Sequence, residues 1–368
     1  MKVHINTNEF RKAFNFVKES TSVRDVRPVL MDVKMVVEDD QVTLMANDGQ
    51  IGVRTTIIGG VLVESTGETM IPTKVISKLL PNTDASEIAF ETNSSDNQLH
   101  VKAGAFSSRL SVVGTDGFIE TDNFNRSNYF EINAKQLVEA LQRTGFSTDT
   151  QNAHFSLGGI HLETVDSQAF FVSTDGRRLS VYKRNIKEVG ETNYKDVRIP
   201  VKTAKLISKV PFKDNDLAMV AFDENGVTVK INNAVIFSNV IEGRFPKWQS
   251  IISKSGSKRA QIPRNELKQV VAQTNLLTTE KNPGLWFNVG DNELTVSSRG
   301  AELGDAIAKT PIQYQGKECK FSIDGRFVLE YLNYIQSEQI IDISFENNDT
   351  PVRFTTDDDY MYVVMPLK

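Results

Sequence analysis

The sequence predicts an α+β fold of three repeated domains, each made of two halves that run strand, helix, then further strands. Three observations predict it. The segments INTNEFRKAF, INAKQLVEAL and IPRNELKQVV, starting at Ile5, Ile132 and Ile262, align without a gap at a spacing of roughly 130 residues. A second series lies between them, at Ile71-Pro72-Thr73-Lys74, Ile199-Pro200-Val201-Lys202 and Ile323-Asp324-Gly325-Arg326. Around both series, short runs rich in Val, Ile and Phe outnumber the helical stretches. The repeat places three domains at 1–126, 127–256 and 257–368. Repetition on this scale builds arcs and rings more often than catalytic pockets.

The elements follow in order. In the first helix, Phe10, Phe14 and Val17 stand at i, i+4 and i+7 and form a core-facing stripe. Residues 41–46 read as a strand closed by the turn Asn47-Asp48-Gly49, and 99–103 and 110–113 as strands before Asp116-Gly117. A polar linker spans Asp122–Tyr129. The next repeat has a helix with Leu137 and Leu141 inward, strands at 170–173 and 227–231, and turns at Asp175-Gly176, Asn225-Gly226 and Asn232-Asn233. Gly158-Gly159 reads as a strand kink or a close backbone approach. After a linker at Ser253–Arg259, the third repeat carries helices with Leu267, Val270 and Val271, then Val328, Leu332 and Ile335. Its strands fall at 294–297 and 360–365.

Composition narrows the function. The 368 residues are 39% hydrophobic and 24% charged, as in ordinary globular proteins. No apolar run is long enough to span a bilayer and no N-terminal signal pattern is present. The single cysteine, Cys319, excludes an internal disulfide framework, fits a reducing cytosol, and reads as a buried strand residue. The four histidines are scattered, His154 and His161 lack a second ligand pair, and no phosphate-cradling glycine motif occurs. Asp357-Asp358-Asp359 reads as a solvated turn. No cofactor and no metal site is expected.

Charge is segregated by element. Six helical segments, 9–19, 73–80, 135–143, 202–209, 264–272 and 326–333, hold 13 Lys and Arg against 5 acids. They are net +8, so the remainder of a chain of net charge −5 carries −13. This predicts a basic surface tracking a polyanion and an acidic exterior. Six helices at ~10 Å each would close a hole of only about 9 Å, whereas twelve leave about 28 Å, enough for a duplex. A ring around DNA therefore needs two chains, joined head to tail with helices inside and sheets outside.

Three further strings carry a family resemblance: TDGRRL (Thr174–Leu179), EGRFPKW (Glu242–Trp248) and the terminal YVVMPLK (Tyr362–Lys368). With the repeat, the whole chain resembles the bacterial sliding clamps, the β subunits of the replicative DNA polymerase III. The resemblance implies three clamp-type domains and a two-chain, six-domain ring that encircles duplex DNA without sequence specificity. It implies a non-catalytic, cytoplasmic processivity factor whose partners are the polymerase III catalytic subunit, a clamp loader, and other clamp-motif proteins of replication and repair. It also implies a cleft for a mostly apolar peptide between the second and third domains. The cleft positions are Leu157, Thr174, Gly176, Arg177, Arg178, Leu179, Pro246 and Ile251, with Val363, Val364, Met365, Pro366 and Leu367. Two departures stand out: Arg177 replaces a common His, and Asn282 replaces a frequent aromatic.

For DNA, the basic helices supply Arg11, Lys12, Lys18, Lys74, Lys78, Lys135, Lys202, Lys205, Lys209, Arg264 and Lys268, and the resemblance adds Arg24 and Gln151. For the subunit interface it implies Leu110 on one side and Leu276 with Leu277 on the other. Two other readings stay open from the residues alone. One is a repeat-built hydrolase using an exposed carboxylate such as Asp175; the other is a ring-forming paralogue serving repair or partition.

Overall fold

The structure is a computed structural model. It describes residues 1–92, 97–149, 157–192, 194, 196–223, 226–253, 256–300, 304–336, 338–357 and 359–367. The repeat starts are strand-to-helix transitions, and at three of them the side chain before the helix explains why the chain turns there, while Pro72 and Pro263 precede α2 and α6 without a side-chain cap. Asn6 accepts hydrogen bonds from the amides of Asn8 (3.0 Å) and Glu9 (3.2 Å), opening helix α1 at Thr7–Val17. Asn133 does the same for Lys135 and Gln136 at the start of helix α3, Ala134–Gly145, and Asp324 for Arg326 at helix α7, Gly325–Leu332. Helices α2 (Thr73–Leu79), α4 (Val201–Ile207), α5 (Gln249–Ile252) and α6 (Arg264–Asn275) complete the α-helices among the described residues. The stripe Phe10, Phe14 and Val17 is fully buried, with Phe10 against Phe90 (ring centroids 4.9 Å apart).

Internal packing divides the chain into two compact units: Met1–Val138, Ile186–Thr192 and Lys205–Val240, and then Glu139–Asn185, Asn193–Ala204 and Ile241–Lys368. The first unit holds two sheets. One has five strands in the order Val61–Ser65, Lys2–Asn6, Glu87–Thr92, Gln98–Ala103, Phe106–Ser111. The other has nine, ordered Lys187–Val189, Tyr129–Asn133, Leu217–Asp223, Gly226–Ile231, Ala234–Ser238, Ile51–Ile57, Val42–Asn47, Val33–Val37, Gly67–Ile71. The second unit holds an eight-stranded sheet, ordered Val197–Pro200, Gly159–Val165, Gln168–Thr174, Arg178–Asn185, Tyr360–Val364, Val352–Asp357, Ile340–Phe345, Lys258–Pro263. Its four-stranded sheet runs Gly304–Pro311, Glu293–Gly300, Gly284–Gly290, Cys319–Asp324.

The two large sheets show how repeats are joined. In each, the last strand of one repeat pairs antiparallel with the third strand after the first α-helix of the repeat before it. Ala234–Ser238 lies on Ile51–Ile57, with Ser238 opposite Ile51, and Tyr360–Val364 lies on Arg178–Asn185, with Val364 opposite Arg178. Strands from two repeats thus share one hydrogen-bonded ladder and one core face. The remaining pair of corresponding strands, Phe106–Ser111 and Gly304–Pro311, are both sheet edges.

Some local expectations are adjusted. The strand expected at 110–113 runs Phe106–Ser111, because the turn at Gly104 (φ +59°) starts the hairpin earlier. Ile335 packs in the core but lies past the end of α7. Gly159 is a close approach: a Cβ there would sit 2.7 Å from the Ile199 carbonyl oxygen. Cys319 opens a strand, buried, its thiol pushed up by burial and donating to the Glu346 carbonyl (3.2 Å). Asn225, His154 and Asp358 lie outside the described residues.

Candidate functional site

The loop Thr174–Arg178 is a rigid turn built by its own side chains. Thr174 Oγ1 accepts from the Gly176 amide (3.0 Å), and Asp175 Oδ1 accepts from the amides of Arg177 (3.0 Å) and Arg178 (3.1 Å). Gly176 supplies the left-handed backbone (φ +86°) that the turn needs. Asp175 Oδ2 takes the Arg178 Nε–H (3.0 Å). Both oxygens of that carboxylate serve the turn, so the hydrolase reading loses its named residue.

Arg178 is buried and its donors are spent inward. Besides Asp175 it donates to the Phe146 carbonyl (2.9 Å) and to Glu330, and its guanidinium stacks over Phe327 (4.3 Å to the ring centroid). Burial opposes its charge, but Tyr362 and Glu330 hold the group above the usual arginine range. It is a strut beneath the turn. Arg177, one residue earlier, is exposed at the tip.

Beside this turn, strand pairing sets Val363 opposite Leu179, and the chain end continues past it with Met365 N–H donating to the Arg177 carbonyl (2.8 Å). Leu367 N–H donates to the Ser322 carbonyl (2.7 Å), and Asn348 Nδ2 to the Leu367 carbonyl (3.2 Å), fixing the terminal segment. The facing wall is the linker that ends the second repeat. Its Trp248 is buried in a cluster with Val172, Leu179, Val181 and Val363, with Phe245 and Ile251 packed on it. Phe245 stacks on His161, ring centroids 4.5 Å apart and 7° from parallel, while its amide donates to Asp196 (3.2 Å). Burial pushes the His161 imidazole below its usual value despite Glu163 and Asp196 nearby, which keeps it the uncharged ring that Phe245 covers.

The result is a cavity of about 140 Å³ with an aliphatic lining. Of the thirteen cleft positions expected from sequence, nine line it: Leu157, Thr174, Gly176, Arg178, Leu179, Pro246, Ile251, Val363 and Met365. Val364 points to the opposite, fully buried face; Pro366 and Leu367 are half-buried beyond the cavity, and Arg177 stands at its rim. Asn282 is exposed and donates to the Arg299 carbonyl (2.8 Å), away from the lining. Sequence reading missed Phe245, Trp248 and His161 as the wall's supports, although two of them lie inside the EGRFPKW string.

The basic residues divide into tied and projecting groups. Arg11 donates to the carbonyls of Leu80 (3.0 Å) and Thr83 (3.1 Å), and Arg264 twice to that of Leu332 (2.7 and 3.0 Å). Each guanidinium thus satisfies carbonyls at the end of a neighbouring helix. Lys268 reaches Asn333 (3.0 Å). Lys12, Lys135 and Lys209 pair with Glu9, Asp214 and Glu19 but stay more than half exposed. Lys74, Lys78, Lys202 and Lys205 are exposed, Lys18 half-buried, and Arg24 exposed in the loop that also exposes Val23 and Val26. Gln151 lies outside the described residues. Leu276, at the end of α6, is 77% exposed, Leu277 is half-buried, and Leu110 is half-buried on the edge strand Phe106–Ser111. Among the described residues, no group of three or more His, Cys, Asp or Glu is placed to hold a metal ion, and no helix is long and apolar enough to cross a membrane.

Three β-rich repeats joined edge to edge, with basic helices and an apolar cleft held on a turn, define a scaffold of the clamp class. Comparison with known proteins agrees. Family models described as the N-terminal, central and C-terminal domains of the DNA polymerase III beta subunit match residues 1–120, 131–247 and 249–368. The "Beta sliding clamp" proteins of Chlamydia muridarum and Pseudomonas aeruginosa are each 24% identical, covering all of this chain and 99% and 100% of theirs. The DNA polymerase sliding clamp of Bacillus subtilis superposes with a TM-score of 0.93 at 20% identity, over 100% of this chain and 99% of that one. A Pseudomonas aeruginosa clamp bound to griselimycin gives 0.92 at 21%, with the same coverage. The chain belongs to the DNA polymerase III beta subunit family, the bacterial sliding clamps, which are non-catalytic processivity factors.

Proposed function

We propose that two copies of this chain close head to tail into a six-domain ring around duplex DNA, with domain boundaries near residues 126 and 256. The observation that carries the reading is the junction rule. Two of the three junctions of corresponding strands form within one chain. The third set, Phe106–Ser111 at one sheet edge and Gly304–Pro311 at another, is left unpaired. Pairing these between chains would give a nine-stranded sheet, the size of the larger internal one. Edges of this kind favour pairing with another chain. Leu110, Leu276 and Leu277 would then bury against the partner copy.

The DNA-facing charges are Lys12, Lys18, Arg24, Lys74, Lys78, Lys135, Lys202, Lys205, Lys209 and Lys268, with Gln151. Arg11 and Arg264 contribute field more than contact, since carbonyls occupy their donors. Such contacts neutralise phosphates without reading bases. The cavity beside Thr174–Leu179 takes the apolar anchors of partner peptides, with Arg177 at its rim drawing acidic ones. Those partners are the polymerase III catalytic subunit, the clamp loader and other clamp-motif proteins, all in the cytoplasm.

The test is absolute mass with small-angle X-ray scattering across a dilution series. Twice 41.2 kDa with a hollow profile is expected. A compact monomer at every concentration would remove the closed ring.

A further inference from the structure

The apolar cleft at the junction of the second and third repeats has a counterpart at the junction of the first and second, and its chemistry is reversed. The turn at Asn47–Ile51 repeats the three amide bonds of the turn at Thr174–Arg178. Asn47 Oδ1 accepts from the Gly49 amide (2.7 Å), and Asp48 Oδ1 from the amides of Gln50 (2.9 Å) and Ile51 (2.8 Å). Gly49 has φ +89°, against +86° for Gly176. The strand register matches too: Phe237 stands opposite Gly52 as Val363 stands opposite Leu179. The linker after the first repeat closes the far wall, pinned where Asn47 Nδ2 donates to the Ile119 carbonyl (3.2 Å). The enclosed cavity is about 360 Å³.

Substitution at the corresponding positions changes what it can hold. Where the apolar cleft has Leu179 and Met365, this one has Gly52 and Asn239. A Cβ on Gly52 would collide with Thr121 Oγ1, so the linker hydroxyl fills the space that the leucine takes in the other cleft. Thr121 is 4% exposed, its hydroxyl packed over Gly52 and without a hydrogen-bond partner among the described residues.

The charge balance is negative. Arg126 is held by Asp223 (3.3 Å) and Thr228 (3.4 Å), and Arg27, near Gly49, by Asp25 (3.3 Å). Lys34 is shared between Glu120 and Glu68, leaving one carboxylate in excess. Asp122, exposed at the mouth, makes no ion pair among the described residues. Ile119, half exposed, and the Phe237 ring supply apolar walls. A guest that satisfies all of these has an aliphatic stem, a cationic head with several donors, and a face that can lie on an aromatic ring.

We propose that this cavity is a second docking site, for an arginine-bearing peptide segment of a partner protein, with Asp122 at its mouth receiving the guanidinium. It would let one chain hold two partners of opposite character, one by apolar anchors and one by a basic side chain.

The test uses full-length protein with isoleucine δ1-methyl labelling and the blocked peptide acetyl-Gly-Leu-Arg-Leu-Gly-amide. Its citrulline analogue, equal in shape but uncharged, is the control. Ile119 reports this cavity and Ile251 the apolar cleft. The arginine peptide should shift the Ile119 methyl saturably while Ile251 stays still. The citrulline peptide should bind about fivefold more weakly, and D122N should lose the same factor for the arginine peptide. An unmoved Ile119, a shift at Ile251 alone, or equal affinity of the two peptides would overturn the proposal. So would undiminished binding of the arginine peptide by D122N.

Discussion

Replacing Leu276 with Glu puts the ring closure to its sharpest test. In the single chain Leu276 has 77% of its surface open and follows the last turn of α6. Changing an exposed residue of this kind alters the fold by about 0.5 kcal/mol or less. If its side chain buries against a partner copy, full burial of a leucine is worth about 1.5–3 kcal/mol, and three quarters of that remains to be gained. A two-fold ring contains the interface twice, so the dimer loses about 2–5 kcal/mol, before any cost of placing a carboxylate there. That weakens dimerisation about 30- to 4,000-fold at 1.4 kcal/mol per decade. Mass photometry across a dilution series reads the constant, and a thermal melt of the monomer checks folding. A dissociation constant within threefold of the parent would refute the argument, because an unburied leucine is the one explanation left.

Three further outcomes are expected. Changing Lys202, Lys205 and Lys209 together to Gln should lower the slope of log affinity for duplex DNA against log salt by roughly 3, at about 0.9 per phosphate contact; an unchanged slope would remove these helices from the DNA surface. Arg178→Ala should cost about 2–3 kcal/mol by denaturant unfolding, since it vacates a buried site and unpairs Asp175 Oδ2, while the half-exposed Glu330 is rescued by water; a loss under 1 kcal/mol would show the strut to be dispensable. His4 bonds Glu87 (2.7 Å) and Glu64 (3.0 Å), which raise its pKa above the ordinary histidine value. Its contribution is therefore full below about pH 6.5 and fades as pH rises through the raised value. The melting difference between parent and His4→Gln should be larger at pH 6 than at pH 9, and a difference that grows with pH would reverse the assignment.

Much of the fold was legible because repetition averages out local ambiguity. One strand-to-helix transition is weak evidence, but Asn6 and Asn133 at corresponding positions both proved to be helix caps. The cleft positions came from the family resemblance carried by TDGRRL, EGRFPKW and YVVMPLK; what adjacent residues encode by themselves is the turn, built from short-range bonds within Thr174–Arg178. What the sequence hid is long-range. Arg11 counts as a positive charge in any tally, and only the fold brings the Leu80 and Thr83 carbonyls to it. Which edges meet at a junction depends on register, Ser238 opposite Ile51, and no repeat pattern states it. The first-junction cavity had a signal that went unread, since Asn47-Asp48-Gly49 lies as far past Ile5 as Thr174-Asp175-Gly176 lies past Ile132.

The linker from Phe245 to Ile252 has two duties that are usually separate. It carries the chain from the second repeat to the third, and through Pro246 and Ile251 it is a wall of the apolar cleft, braced by Trp248 on the sheet both repeats share. Bending at that joint and widening of the cleft are consequently one mechanical coordinate. On the proposed function, a guest seated between Met365 and Pro246 would bracket that joint, so that filling the cleft and stiffening the linker would be the same event.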